Sequence, residues 1–183
     1  MAVATRSSRL TACLAQRQPF AIRSGHWTDA KRFRSTTTGP PFRKYDVDIL
    51  EVGPRDGLQN IKAKVETSVK VELIKRLAAA GCSAIEATSF VSPKWIPQLA
   101  DSNEVMKAVL PMAKEMGIRL PVLTPNLKGF ERAVQNDAQE AVVFASASEG
   151  FSWKNTNCSV EDALVRAEEV VAAALKEGIR ARG

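Results

Sequence analysis

Val47-Asp48-Ile49-Leu50-Glu51-Val52 runs directly into Gly53-Pro54-Arg55-Asp56-Gly57-Leu58-Gln59-Asn60. Four of the first six side chains are Val, Ile or Leu, and the run ends at Gly-Pro, so it reads as a buried strand entering a turn. A loop to Glu66 follows, then a helix from about Thr67 to Ala80. On it Val71, Ile74, Leu77 and Ala78 share one face, with Lys70, Glu72, Lys75 and Arg76 largely outside that face. Gly81 suits the position that ends a helix.

The rest of the chain repeats this unit. A second strand spans Ser83–Ala87, and a loop with Pro93, Trp95 and Pro97 leads to a helix whose start carries Asp101 and Glu104, spaced as a capping box. A third strand spans Ile118–Leu123, a short helix Asn126–Asn136, and a fourth strand Ala141–Ala145. A polar loop precedes a helix from Ser159 to Glu177, closed by Gly178, and Ile179-Arg180-Ala181-Arg182 begins a fifth strand. Strand starts near 47, 83, 118, 141 and 179 call for a parallel sheet covered by helices. Two α/β architectures fit: an open doubly wound sheet, or the first half of an eight-stranded βα barrel. Periodicity leaves both open.

The chain has 183 residues, enough for one domain with a core. Its net charge of +6 is unevenly spread. Residues 1–44 hold nine Lys/Arg against Asp29 alone, a net of +8, and the remaining 139 hold 17 bases and 19 acids, a net of −2. The body is thus slightly acidic, which argues against a nucleic-acid partner. A basic, Ser/Thr-rich, acid-poor leader over 1–44 has the marks of a mitochondrial or plastid transit peptide, with cleavage expected near Arg34–Ser35. No apolar run reaches the length of a membrane span. Cys13 lies in the leader, and Cys82 and Cys158 are far apart without CxxC spacing, which fits a reducing compartment. Asn157-Cys158-Ser159 matches a glycosylation sequon; without a secretory signal it reads as coincidence.

The chemistry concentrates after the first strand, at the strand end where βα enzymes place their catalytic groups. The turn lacks both GxGxxG and GxxxxGK[ST], so it is no phosphate loop. It offers an adjacent cation and anion held between Pro54 and Gly57. Arg55 can present two donors to a developing oxyanion, and Asp56 supplies a hard oxygen for Mg²⁺ or Mn²⁺. By itself, such a pair in a turn is more often a surface ion pair.

The surrounding words shift that balance. EVGPRDGLQN, IEATSFVSPKWIPQ, PVLTPNLKGF and Ala145-Ser146-Ala147-Ser148-Glu149, with Lys154-Asn155-Thr156-Asn157-Cys158-Ser159, together resemble the 3-hydroxy-3-methylglutaryl-CoA lyase family over residues 45–183. The RDG element is shared with isopropylmalate synthases and the carboxyltransferase domain of pyruvate carboxylase; the LQN and SFVSPKW words point to the lyase branch. The resemblance implies the barrel, of which residues 45–183 would form the first half: four βα units and the start of a fifth strand. It also implies a mitochondrial matrix enzyme of leucine breakdown and ketone-body formation. The reaction would be a retro-Claisen cleavage to acetyl-CoA and acetoacetate, in which a base takes the C3 hydroxyl proton, the C2–C3 bond breaks and the acetyl-CoA enolate is protonated. A divalent metal, Mg²⁺ or Mn²⁺, would act as Lewis acid and template. Arg55 would bind substrate and stabilise the enolate oxygen, Asp56 would be a metal ligand, and Glu86, at the end of the second strand, would be a functional acid that orients Arg55. Lys62 reads as a solvated lysine. Ser89, Thr124 and Asn126 are expected on the pocket wall, and Trp95 and Trp153 in loop packing.

The family's H-x-H pair, its later Asn and its essential Cys have no counterpart in these 183 residues; the sole histidine, His26, lies in the leader. One carboxylate leaves most of a cation's coordination to water, and a full barrel takes about 250 residues. This chain is therefore expected to be inactive alone. Its unpaired edge strands favour poor solubility or homo-oligomeric association that completes a barrel. The expected partners are a small acyl-CoA substrate and further copies or halves of the barrel, with no nucleic acid and no membrane. Two alternatives remain at this point: a non-catalytic partner or decoy of a full-length lyase, and an isopropylmalate-synthase-like condensing enzyme.

Overall fold

The structure, a computed structural model, describes residues 48–183. The expected leader over 1–44, its cleavage point and Val47 lie outside the described residues.

The opening strand is reduced to one parallel bridge, Glu51 to Ile85. Glu51 N–H donates to the Ala84 carbonyl at 3.0 Å, and Glu86 N–H donates to the Glu51 carbonyl at 2.8 Å. It can go no further, because the chain turns at once: the amides of Arg55, Asp56 and Gly57 converge on the Val52 carbonyl at 3.1, 2.8 and 3.5 Å. Four short strands follow: β1 (Thr88–Ser89), β2 (Val122–Leu123), β3 (Glu140–Val142) and β4 (Arg180–Arg182). The second extended segment overruns its expected end at Ala87, with Ala84 bridged to Arg119 and Phe90 N–H still donating to the Leu123 carbonyl at 2.9 Å. Pro121, opposite Ala87, has no N–H to give, and the regular pairing breaks there into an isolated bridge and the short β1–β2 pair.

All pairings are parallel, with Thr88 opposite Val122, Val122 opposite Ala141 and Glu140 opposite Arg180. Spatial order follows chain order, β1-β2-β3-β4. A doubly wound sheet reverses its order at a switch point, whereas a barrel adds each strand beside the last. The order therefore favours the barrel, seen over part of its circumference.

The helices are α1 (Thr67–Ala79), α2 (Ser102–Met116), α3 (Leu127–Val134), α4 (Glu149–Thr156) and α5 (Val160–Lys176). Gly81 and Gly178 close α1 and α5 at φ 96° and 69°, in the region that favours glycine. Asn126 and Ser159 cap α3 and α5, accepting from the amides of Gly129 (2.9 Å) and Asp162 (3.0 Å). Gly129 has a second role: a Cβ there would stand 2.9 Å from the Phe90 carbonyl oxygen, so only glycine lets α3 sit this close to the end of β1. The polar stretch expected as loop contains α4, of which only Ser152 is buried. With no apolar face, this helix has no periodic signature.

One face of the sheet meets the helices. Ile85, Ala87, Leu120 and Val122 pack with Ile74 and Ala78 of α1 and with Val105, Met106 and Val109 of α2. Ala141 and Val143 pack with Phe130, Val170 and Ala174. The alternate strand residues, Ala84 and Glu86 among them, face the barrel side. Among the described residues no helix is long and apolar enough to cross a membrane.

Two expectations on α1 and α2 are corrected together. Lys70, expected outside the apolar face of its helix, is buried, and Asp101 makes no side-chain cap on α2. The cause is shared: the Asp101 carboxylate accepts from Lys70 Nζ and from Thr67 Oγ1, each at 2.6 Å, so it is turned toward α1 and away from the amides of its own helix.

Candidate active site at the carboxyl end of the strands

The wide turn after Val52 brings Arg55 back over the neighbouring strand. Arg55 Nε donates to Glu86 Oε1 at 2.9 Å and Nη2 to Glu86 Oε2 at 3.4 Å, a two-point fork. Its Nη1 donates to Asp56 Oδ1 at 2.8 Å. Exposure separates the three: the side chains of Glu86, Arg55 and Asp56 are 3%, 18% and 54% exposed. Glu86 is thus neither solvated nor at its strand's end, since pairing continues to Ser89; it lies one residue past Ile85, the bridge partner of Glu51. Two carboxylates around one guanidinium leave a net formal charge of −1, which attracts a cation. Among the described residues, three of the five guanidinium N–H groups are engaged, which leaves one on each terminal nitrogen for a substrate oxygen.

The other expected pocket residues are held elsewhere. Ser89 Oγ accepts from Val91 N–H at 3.1 Å and donates to the Leu123 carbonyl at 3.4 Å. Thr124 Oγ1 donates to the Val142 carbonyl at 3.1 Å, and Asn126 caps α3. All three side chains are engaged with backbone groups. Lys62 is exposed, as expected, whereas Trp95 and Trp153 are exposed rather than packed, the latter on α4. One polar group had no assignment: Ser146 Oγ, four residues beyond β3, is buried without a hydrogen-bond partner among the described residues. No periodicity marks such a group; only the tertiary environment does.

Two hollows of about 260 and 370 Å³ lie toward the amino ends of the strands, one lined by Lys114, Gly117 and Gln139, the other by Asp48, Glu140 and Arg180. Neither contains Arg55, Asp56 or Glu86. The first is a crevice behind α2, the second the open barrel side of the sheet, where Glu140 meets Arg119 at 3.3 Å and Arg180 at 3.8 Å. The chemistry, not the cavity, marks the site.

For a divalent cation, Asp56 is the right kind of donor: a hard carboxylate at the mouth, with Oδ2 accepting no hydrogen bond from the described residues. The number of donors falls short. Among the described residues no group of three His, Cys, Asp or Glu side chains could hold a metal, and Glu86 is committed to Arg55. The described residues thus fit one arm of a metal site.

Sequentially ordered parallel strands, covering helices and a charged cluster at the carboxyl mouth define a βα-barrel enzyme domain in part. A model of the HMGL-like family matches residues 46–183, and the chain belongs to that family. It is 58% identical over 137 residues to the mitochondrial hydroxymethylglutaryl-CoA lyase of Arabidopsis thaliana, covering 75% of this chain and 29% of that one. To the mitochondrial lyase of Homo sapiens it is 55% identical over 137 residues, covering 75% of this chain and 41% of that one. The crystal structure of the HMG-CoA lyase of Brucella melitensis superposes with a TM-score of 0.71 at 50% identity, over 75% of this chain and 47% of that one. An HMG-CoA lyase from A. baumannii, in complex with coenzyme A and 3-methylmalate, superposes at 0.67 with 36% identity, over 73% of this chain and 43% of that one. The chain spans less than half the length of each of these relatives. Cytoplasmic 3-hydroxy-3-methylglutaryl-CoA lyases are also similar, one of them at 55% identity. These names favour the lyase branch over the isopropylmalate synthase alternative.

Proposed function

We propose that this chain carries one wall of a hydroxymethylglutaryl-CoA lyase centre, which cleaves 3-hydroxy-3-methylglutaryl-CoA to acetyl-CoA and acetoacetate. The observation that carries it is the Arg55 guanidinium, forked onto buried Glu86 with two N–H groups unengaged among the described residues. As the C2–C3 bond breaks, charge gathers on the thioester oxygen of the departing acetyl-CoA enolate. A guanidinium already fixed in place meets that charge without reorganising. Glu86 positions Arg55. Asp56 would be the chain's ligand to a divalent cation, Mg²⁺ or Mn²⁺, which when bound supplies Lewis acidity.

A small acyl-CoA is the substrate this reading requires, and the coenzyme A complex of the A. baumannii relative supports the class. The mitochondrial matrix is the compartment we favour, on the mitochondrial relatives and the basic, acid-poor residues 1–44, a transit peptide in this reading. Residues 45–183 are then the first half of the lyase barrel.

The test is acetoacetate release with Mg²⁺, from this chain alone and from this chain co-expressed with a polypeptide that supplies the remaining strands and the H-x-H pair. Release is expected only from the combination, and Arg55→Ala should lower it by roughly 100- to 1000-fold, as for lost oxyanion donors. Turnover by the chain alone would refute its incompleteness. Silence from both would remove the lyase reading.

A further inference from the structure

We infer that Lys70 is a positioning residue for the Arg55–Asp56–Glu86 cluster, acting through the two loops that rim it. The inference rests on the lyase reading for what the cluster does; the brace itself is read from geometry alone.

Lys70 lies on α1, away from the chemistry, and its side chain is only 4% exposed. Its ammonium is held at two points, both on the segment that leads into α2: the Gln98 backbone carbonyl and, at 2.6 Å, Asp101 Oδ1. Thr67 Oγ1 donates to the other Asp101 oxygen at 2.6 Å, so the carboxylate is held on both sides. The Gln98 side chain then reaches across to the loop that follows the catalytic turn, its Nε2 donating to the Ile61 carbonyl at 2.9 Å. Ile61 N–H donates to the Leu58 carbonyl at 3.1 Å, and Asn60 Nδ2 to the Asp56 carbonyl at 3.1 Å. An unbroken run of hydrogen bonds and short chain segments therefore leads from Lys70 to the backbone of Asp56.

The plain alternative is a buried ion pair that only fastens α1 to α2. Apolar side chains of similar size would fasten those helices without desolvating a charge. What they could not do is hold a backbone carbonyl. Gln98 sits in the single short turn Pro97–Leu99, and the ammonium fixes the direction of its peptide group and so of its side chain. Asp101 is kept in its charged form for this. Burial pushes its pKa up, but the hydrogen bonds from Lys70 and Thr67 and the Lys70 charge outweigh it, leaving the carboxyl below the ordinary aspartate value.

The experiment measures ¹⁵N order parameters of the amides over 58–65 in the intact chain and in Lys70→Met, Lys70→Arg and Gln98→Ala. In the parent chain these amides are expected near rigid values of about 0.85, falling to about 0.6 or below in Lys70→Met and Gln98→Ala. Lys70→Arg, which keeps a buried donor, should recover part of the rigidity. Gln98→Ala cuts the link while leaving the ion pair intact, so its urea midpoint should stay unchanged. It decides the matter if Lys70→Met fails to fold. Unaltered order parameters over 58–65 in folded Gln98→Ala would overturn the inference. A parallel Mn²⁺ titration by electron paramagnetic resonance, on this chain co-expressed with the polypeptide that supplies the remaining strands, reads the Asp56 ligand role separately: binding undiminished by Asp56→Ala would count against that role and leave the order parameters to judge the brace.

Discussion

Arg55, Glu86 and Asp56 sit within one hydrogen-bonded cluster, yet substitution should expose quite different roles. Glu86 is buried and faces a guanidinium through two hydrogen bonds. Glu86→Gln puts an amide donor against a donor and leaves Arg55 only the half-exposed Asp56 as counter-charge. A loss of about 2 kcal/mol by urea unfolding is expected, together with loss of any Arg55-dependent activity. Asp56 is half exposed, and its pair with Arg55 is open to water. Asp56→Ala should therefore leave stability within about 0.5 kcal/mol while abolishing its contribution to Mn²⁺ binding. Equal destabilisation by the two substitutions would contradict the difference in exposure between the two side chains. The type and place of Arg55 and Asp56 were legible in the motif. That Glu86 is buried was not, because a lone Glu in an apolar run carries no sign of its partner 31 residues earlier.

At the scale of elements, caps and pairings across helices decide most of what can be checked. Ser159 accepts from the Asp162 amide and starts the 17-residue α5; Ser159→Ala should cost about 1 kcal/mol, read as a lower urea midpoint. Asp101 offers a pH test. Its folded pKa is below the unfolded value near 3.8, so its contribution is fully present above that value and is lost as pH falls through the folded pKa. The stability gap between the parent chain and Asp101→Asn should accordingly hold at neutral pH and narrow in acid below about pH 4. A gap independent of pH would mean that the carboxylate is not the stabilising form. Helix positions were legible because apolar spacing repeats. The strand lengths were not: the break at Pro121 was visible only once its partner strand was known. The capping box spelled by Asp101 and Glu104 misled because a stronger donor, Lys70, competes for the same carboxylate.

For the whole molecule, the strand edges carry the consequence. Among the described residues β4 pairs with β3 alone, and the Glu51 bridge joins its sheet on one side. Such edges, beside the partly exposed barrel face with Leu50 and Arg182, favour association. We expect size-exclusion elution of this chain to shift toward larger species with rising concentration; a monomer at every concentration would remove that expectation. The sequence by itself determined the alternation of strands and helices, the slightly acidic body and the segment where the chemistry lies, because these follow from local composition and period. Strand and helix period left a doubly wound sheet and a barrel both open; the motif words implied the barrel, and the strand order, a matter of long-range pairing, bears it out. Tertiary structure alone decided which polar groups are used up: Ser89, Thr124 and Lys70 are polar in sequence, and only their neighbours in space turn them into backbone anchors and a brace.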